Sequence, residues 1–572
     1  MLSSWSLFLV ALACMALLFL VAWAGERRPL GDRHPRLRAW LYSLSLAVYC
    51  TSWTFYGAVG TAASNGWAYL PIYLGPMLVM LLGYGVLRRI AEVSREHRIT
   101  SIADYMAHRY GRSHAIAVLV TVAAVVGAVP YIALQLKGIL TSMDVLSGGA
   151  GSTVPAPGGV ALWLALVLAA FTMAFGTRSL DASEHQRGLI WAVAFESVLK
   201  LVAFLAVGVF AVATLGGGAG LFDLLQNDPG YLERFSPWRL PEGFGMQIVL
   251  AMTAILCLPR QFHVAIVEYR GQGELRTARW LFPLYLLLFT VFVVPIAVAG
   301  LERFGLAGVN PDTFVLALPL AEDRAGLALL AFVGGFSAAT GMVIVSTVAL
   351  AIMVSNHLVM PLLLRRQGSG PASRDVQSTL VWVRRGSILA ITLAAWAYYR
   401  ALEGGVPLAS IGLLAFAAAA QFAPAMLLGL YWRGASQAGA ISGLAVGGMA
   451  WLLLLLLPAL TGSSPLAEGI SISDGAAIAL ALNTLALVVV SLLLPDLPVP
   501  TRSGERQPRL ITMGQLSETL QRFLGLEATR EALATHLGES ALEPQALATP
   551  ATLQFGERLL AGSIGSASAR SV

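Results

Sequence analysis

The chain alternates long uncharged apolar stretches with short polar joints. Thirteen of these stretches approach or exceed the roughly 20 residues that a helix needs to cross the hydrocarbon core of a bilayer. The pattern predicts membrane-spanning helices at 5–24, 39–60, 68–87, 114–141, 159–176, 188–214, 246–267, 280–301, 326–363, 386–402, 408–432, 437–461 and 474–494. The stretch at 326–363 is long enough for one bent helix with an interfacial extension. The first stretch, Trp5 to Ala24, has no basic residue before it and is expected to be retained as a span rather than cleaved as a signal peptide.

Near Pro495 the pattern changes. A polar, Pro-containing linker over 495–510 leads into short amphipathic helical patterns at Thr512 to Leu524, Glu527 to Leu537 and Thr549 to Ser571. Thr512 and Gln515 fit a capping box, and Thr549-Pro550 fits an N-cap followed by proline at the first helical position. Leu553, Leu559, Leu560 and Ile564 give the last pattern an apolar stripe. The expected organisation is a transmembrane domain over 1–494, a linker over 495–510 and a small cytoplasmic helical domain over 511–572. The last helical pattern is still running where the sequence stops, so a longer polypeptide is expected.

Composition agrees with the periodicity. Hydrophobic residues make up 57% of the chain and charged residues 12%, where soluble domains carry about 25%; mean hydropathy is +0.74. The fold class is therefore an all-α polytopic membrane protein. The net charge of +6 reflects arginine-rich loops on one side of the membrane rather than a nucleic-acid surface, and no nucleic-acid partner is expected. Loops after odd-numbered spans carry clusters such as Arg27, Arg28, Arg33, Arg36 and Arg38, then Arg88, Arg89, Arg95 and Arg98, then Arg270, Arg276 and Arg279. Loops after even-numbered spans are nearly bare, with Arg234, Arg239, Arg303 and Arg324 the main exceptions. The positive-inside rule places the N-terminus outside and the C-terminal domain in the cytoplasm. Cys14, Cys50 and Cys257 lie singly in apolar segments and suit neither a disulfide framework nor a metal site.

Two spans are interrupted by residues that a lipid-facing helix would avoid. Span 2 contains YCTSWTFYGAVG, Tyr49 to Gly60, and span 7 contains AILCLPRQFH, Ala254 to His263. Such interruptions are tolerated where backbone is buried in protein or lines a cavity, and transporters use paired broken helices to hold ions and solutes. Five-helix repeats starting at spans 2 and 7 have opposite orientations, because five is odd. The pairing predicts a 5+5 inverted repeat over spans 2–6 and 7–11, with a site at the breaks.

Intramembrane charges are few and are functional candidates by default. Glu196 and Lys200 lie four apart on span 6 and can pair on one helix face. Lys137 on span 4 either reaches the outer interface or enters a site. Arg260 sits at the span 7 break. A cationic group near a break in each half predicts that Arg260 or Lys137 meets the carboxylate of a small anionic or zwitterionic solute, with Trp53, Thr54, Tyr56 and Gln135 shaping the pocket. Asp181 and Glu184 read as cytoplasmic loop charges. The sequence has no nucleophile elbow, no metal-ligand spacing and no phosphate-binding glycine loop with its lysine, so no enzyme and no cofactor are expected.

The segments LYSLSLAVYCTSWTFYGAVG, HRITSIADYMAHRYG, VPYIALQLKG, AFESVLKLVAFLAVG, LCLPRQFHVAIVE and GGFSAATGMVIVSTVALAIMVSNHLVMPLLLR resemble the sodium:solute symporter family. This family has the LeuT-type 5+5 fold and sits in the inner (plasma) membrane of bacteria. The resemblance is closest to the branch fused to two-component sensor histidine kinases, the CbrA-like and CrbS-like proteins, and the tail resembles their STAC domain. It implies a sodium-type site formed by the Ala47 and Cys50 carbonyls, the Gly334 carbonyl and the Ser337 hydroxyl. Thr340 is able to share that helix face, and Ala338 stands where a second hydroxyl is common. With one hydroxyl missing, Na⁺ and H⁺ both remain open as the coupling ion.

The resemblance also implies a histidine kinase and PAS region, in the same chain or in trans, and a response regulator as partners. No kinase domain is present in this sequence, so the chain alone should have no kinase activity. Two functions are expected. One is an ion-coupled transporter of acetate or histidine class solutes. The other is a non-transporting receptor that reports solute occupancy through the STAC-like domain.

Overall fold

The structure is a computed structural model describing residues 4–27, 34–148, 158–176, 187–236, 238, 240–306, 308–366, 376–402, 406–461, 469–496, 511–537 and 544–569. Asp181, Glu184 and linker residues 497–510 lie outside the described residues. Within them, nine helices are long and apolar enough to cross a membrane. Two bent pairs, Pro71–Leu81 with Tyr84–Glu96 and Phe244–Cys257 with Pro259–Val267, also qualify as spans. The shorter helix Gly158–Gly176 and the broken stretch from Pro35 to Asn65 complete the set. Every predicted span falls on helical chain, and the molecule is an all-α membrane protein with the LeuT-type fold.

Burial separates the core from the periphery. In span 9, 94% of the most apolar window is buried, against 28% in span 13 and 33% in span 1. Span 9 is therefore the central helix. Its small residues between Gly334 and Gly341, interrupted by Phe336, admit neighbouring helices at close range. Span 13 instead leaves Leu485, Leu492 and Leu493 exposed for lipid.

Contacts gather the odd-numbered loops at one end and the even-numbered loops at the other. At the arginine-rich end Arg38 pairs with Glu274 at 2.7 Å, and Arg95 donates to the Arg270 carbonyl at 3.0 Å. At the opposite end Asp312 accepts the Leu408 amide at 3.2 Å, and Gln247 donates to Ser473 at 3.4 Å. The alternation read from arginine is thus a spatial segregation.

Span 3 departs from its predicted bounds of 68–87. Its helix Pro71–Leu81 turns by 70° into Tyr84–Glu96. The second helix is amphipathic, burying Leu87, Ile90 and Ala91 while presenting Arg88 and Glu92 outward, the pattern of a helix suited to an interface.

The C-terminal helices Met513–Leu524, Leu526–Leu537 and Pro550–Ile564 pack Leu516, Leu520, Phe523, Leu533, Leu559 and Ile564 into one apolar cluster, which Met360 and Leu380 of the membrane part join. Both reciprocal bonds of the Thr512–Gln515 capping box are present. The bundle rests on the arginine-rich end. The Ser566 amide and hydroxyl both donate to Asp104 Oδ1, at 2.9 and 2.6 Å. The Ser568 hydroxyl donates to the Asn356 carbonyl at 3.1 Å, and Arg112 pairs with Glu557. The last predicted helix is interrupted at Gly565, which adopts φ +82°, and resumes as a short turn of helix, Ser566–Ala569, beside Asp104.

Candidate functional site

Span 2 is a helix over Pro35–Ser45, a 3-10 turn over Leu46–Tyr49, and, after a gap, a π-type turn over Trp53–Gly57 leading into the helix Ala58–Asn65. Cys50 in the gap is extended, with φ −78° and ψ 110°. The hydroxyl residues cause this locally, because short polar side chains offer the backbone alternatives to the helical bond. The Thr54 hydroxyl donates to the Thr51 carbonyl at 3.0 Å, and the Trp53 amide donates to Thr51 Oγ1 at 3.3 Å. Backbone groups released by the gap must find partners, since none is supplied by lipid. The Ser52 amide donates to Gln135 Oε1 at 3.1 Å, and Gln261 donates to the Leu46 carbonyl at 3.4 Å.

The carbonyls of Ala47 and Cys50 converge on one cation, and that cation belongs to the protein. Lys200 Nζ donates to Ala47 O at 2.6 Å and to Cys50 O at 2.8 Å. Lys200 and Glu196 do not close a direct ion pair: Glu196 Oε1 instead accepts from the Thr340 hydroxyl at 3.2 Å. The same hydroxyl also lies 3.0 and 3.1 Å from the Phe336 and Ser337 carbonyls of its own helix. Ser337 Oγ is buried without a partner among the described residues, and Gly334 approaches Ala203 and Phe55.

This donor set fits a bound Na⁺ poorly. The two carbonyls already face an ammonium, Thr340 is turned to Glu196 and its own helix, and Ala338 brings no oxygen. An ammonium on the same two carbonyls takes their lone pairs and repels a second cation, to the extent that Glu196 does not offset its charge.

Span 7 breaks at Leu258, which is extended with φ −65° and ψ 129°. Pro259 then starts a new turn, where its missing N–H costs nothing, and the two helices diverge by 51°. A π-type turn follows at His263–Val267, matching the one that follows the first break. Arg260 is 2% exposed, and its guanidinium carbon lies 4.3 Å above the Tyr131 ring. Its Nε and Nη2 have no hydrogen-bond partner among the described residues. Tyr131 stacks on Phe416 at 5.8 Å, and Phe416 meets Trp53 at 4.9 Å. These three rings form one aromatic layer beside Arg260.

Trp53 also faces a cavity of about 360 Å³ whose other walls include Tyr69, Lys137, Gln247, Asp312 and Ser410. It lies towards the arginine-poor end. Lys137 donates to the Val406 carbonyl there. Asp312 packs so closely on Gly60 that a Cβ would fall 1.9 Å from Oδ1, which explains a glycine at the end of the span 2 motif. Tyr56 lines a smaller adjoining space with Lys137 and Asp312.

Of the predicted solute residues, Trp53 and Lys137 reach the main cavity, and Arg260 lies on the far side of the aromatic layer. Thr54 and Gln135 are committed to the break. Tyr131, Phe416, Gln261 and Asp312 were not singled out from sequence. Tyr131 carried a usable signal, being four residues before Gln135 and so on the same helix face.

No group of three or more His, Cys, Asp or Glu side chains among the described residues is placed to hold a metal ion. The three cysteines are buried and free.

No family model matches the chain. The chain is similar to two proteins of Bacillus subtilis (strain 168) described as uncharacterized symporters. It is 23% identical to YhjB over 406 residues, 69% of this chain and 76% of YhjB. It is 24% identical to YodF over 404 residues, 69% of this chain and 75% of YodF. Among solved structures it resembles a Na⁺-coupled sialic acid symporter in a substrate-bound outward-open state, with a TM-score of 0.62 and 16% identity over 85% of this chain and 98% of that one. That likeness establishes the fold that the two broken helices require.

Proposed function

We propose that this chain is an ion-coupled secondary transporter that takes up a small carboxylate or amino acid, of acetate or histidine class, across a bacterial inner membrane. The observation that carries this reading is Arg260. A buried guanidinium with two unpartnered nitrogens is costly unless a further group joins it, and a carboxylate matches its fork geometry. Its place at a helix break, beside an aromatic layer that adjoins a cavity, supports a route from cavity to cation. Two symporter relatives and a structural neighbour that carries an acid support the same class. The arginine-rich end faces the cytoplasm in this reading, the cavity faces out, and residues 511–572 form a STAC-like cytoplasmic domain.

The test is binding and uptake of labelled acetate, histidine and proline in proteoliposomes. Arg260→Gln is expected to cost about 2–5 kcal/mol of affinity for the transported solute, roughly 30-fold or more, and Lys137→Gln less. Full retention in both variants rejects the reading.

A second reading is favoured by the Ser566–Asp104 and Ser568–Asn356 contacts, which tie the tail to the transporter core. In it the fold is a receptor, and the tail reports occupancy to a histidine kinase and its response regulator. Hydrogen exchange over residues 550–569 should then change when solute is added, even in a variant that no longer transports. An unchanged profile removes this reading.

A further inference from the structure

Span 6 carries a buried lysine that a solute site at Arg260 does not use. Lys200 is 2% exposed and directs its ammonium to the Ala47 and Cys50 carbonyls at 2.6 and 2.8 Å. Those oxygens are the pair that a coupling cation would need at the span 2 break. An ammonium and a sodium ion carry the same charge and seek the same carbonyl lone pairs, so one excludes the other.

The surroundings are built around this charged pair rather than around a diffusible ion. Glu196, one turn before Lys200, supplies the compensating negative charge and is held by Thr340. Gly341 makes room for that carboxylate, because a Cβ there would lie 2.0 Å from Glu196 Oε2. Span 9 offers Ala338 where a further oxygen would help a metal ion, and the Thr340 hydroxyl is already engaged.

We propose that the Lys200 ammonium is a tethered cation, standing permanently where a Na⁺ would otherwise bind, so that this chain binds and moves its solute without Na⁺. A tethered ammonium holds the break closed at all times, whereas a diffusible ion holds it only when bound. Of the two coupling ions that the transporter reading admits, the proposal removes Na⁺. It rests on that reading only for its uptake measurement.

The experiment has two arms on the full chain in nanodiscs or proteoliposomes. In the first, equilibrium binding of radioactive Na⁺ and the dependence of Tm on Na⁺, with choline as control, are measured on the wild type, on Lys200→Ala and on Lys200→Ala combined with Ala338→Ser. The wild type should show neither saturable Na⁺ binding nor a Na⁺-specific rise in Tm. The double variant, with carbonyls freed and a hydroxyl added, should gain both, because a ligand that binds only the folded state raises Tm with its concentration. Saturable Na⁺ binding by the wild type overturns the proposal whether or not the variants fold.

In the second arm, solute affinity and uptake by the wild type are compared in Na⁺ and choline. They should be equal, where a coupled cation would shift affinity by about 5–150-fold. A tenfold or greater fall in choline overturns the proposal. No uptake or binding of any tested solute would count against the transporter reading instead, and the Na⁺-binding arm would still decide the role of Lys200.

Discussion

The two broken helices have the same construction and opposite chemistry. Each has one extended residue, Cys50 or Leu258, followed by a π-type turn. At the first break the protein provides its own partners: Lys200 for two carbonyls, Gln135 for an amide and Gln261 for a third carbonyl. At the second break a proline removes the amide that would need a partner, and an arginine is left with open donors. An inverted repeat supplies two equivalent places where backbone can be unwound. In the proposed reading one serves as a permanent joint and the other as a receiving group.

If that division is right, the two cations respond differently to removal. Lys200→Met strands the Ala47 and Cys50 carbonyls at about 1–3 kcal/mol each, so Tm in nanodiscs should fall further than for any of the other substitutions. Arg260→Met removes a buried, incompletely partnered charge and should leave Tm unchanged or higher, while solute binding is lost. Equal destabilisation by both would erase the distinction between the breaks.

Gly412→Ala acts on the aromatic layer between cavity and arginine. Its Cβ would fall 2.2 Å from the Trp53 ring, and overpacking of this kind costs about 1–3 kcal/mol. Lower stability with weaker solute binding is expected, and unaltered binding would separate Trp53 from the solute path. Gln135→Leu removes the acceptor for the Ser52 amide and should cost about 1–2 kcal/mol. Its effect should appear as faster hydrogen exchange across 50–57, with no change around 258–267. The smallest effect belongs to a site remote from both breaks: Thr512→Ala loses a helix cap worth about 1 kcal/mol and should leave solute affinity untouched.

Much of the architecture was legible because it is periodic or local. Apolar runs of membrane length fix the spans, arginine alternation fixes which loops share an end, and hydroxyl, glycine and proline interruptions mark both breaks. The capping box at Thr512 and the N-cap at Thr549 were legible for the same reason. The Lys200 contacts were not, because they join residues 150 or more positions apart. Spacing within span 6 suggested Glu196 as the partner; the ammonium instead reaches the two released carbonyls, and Glu196 accepts from Thr340. Asp312 escaped notice in a short loop whose importance comes only from the cavity it borders. The bend after Leu81 was hidden because the uncharged residues Leu82 to Leu87 continue the apolar run across it.

Span 9 is a single rod from Ala325 to Met353, prolonged by the π-type turn Val354–Val359. Thr340, which holds Glu196, and Asn356, which holds the tail, are 16 positions apart on it, about 24 Å at 1.5 Å per residue. In the receptor reading, a tilt of this rod that shifted Thr340 against Glu196 is expected to displace the Asn356 carbonyl from Ser568 as well. The rod is thus the element that the receptor reading would use to join the unwound peptides to the tail, with no loop between Thr340 and Asn356.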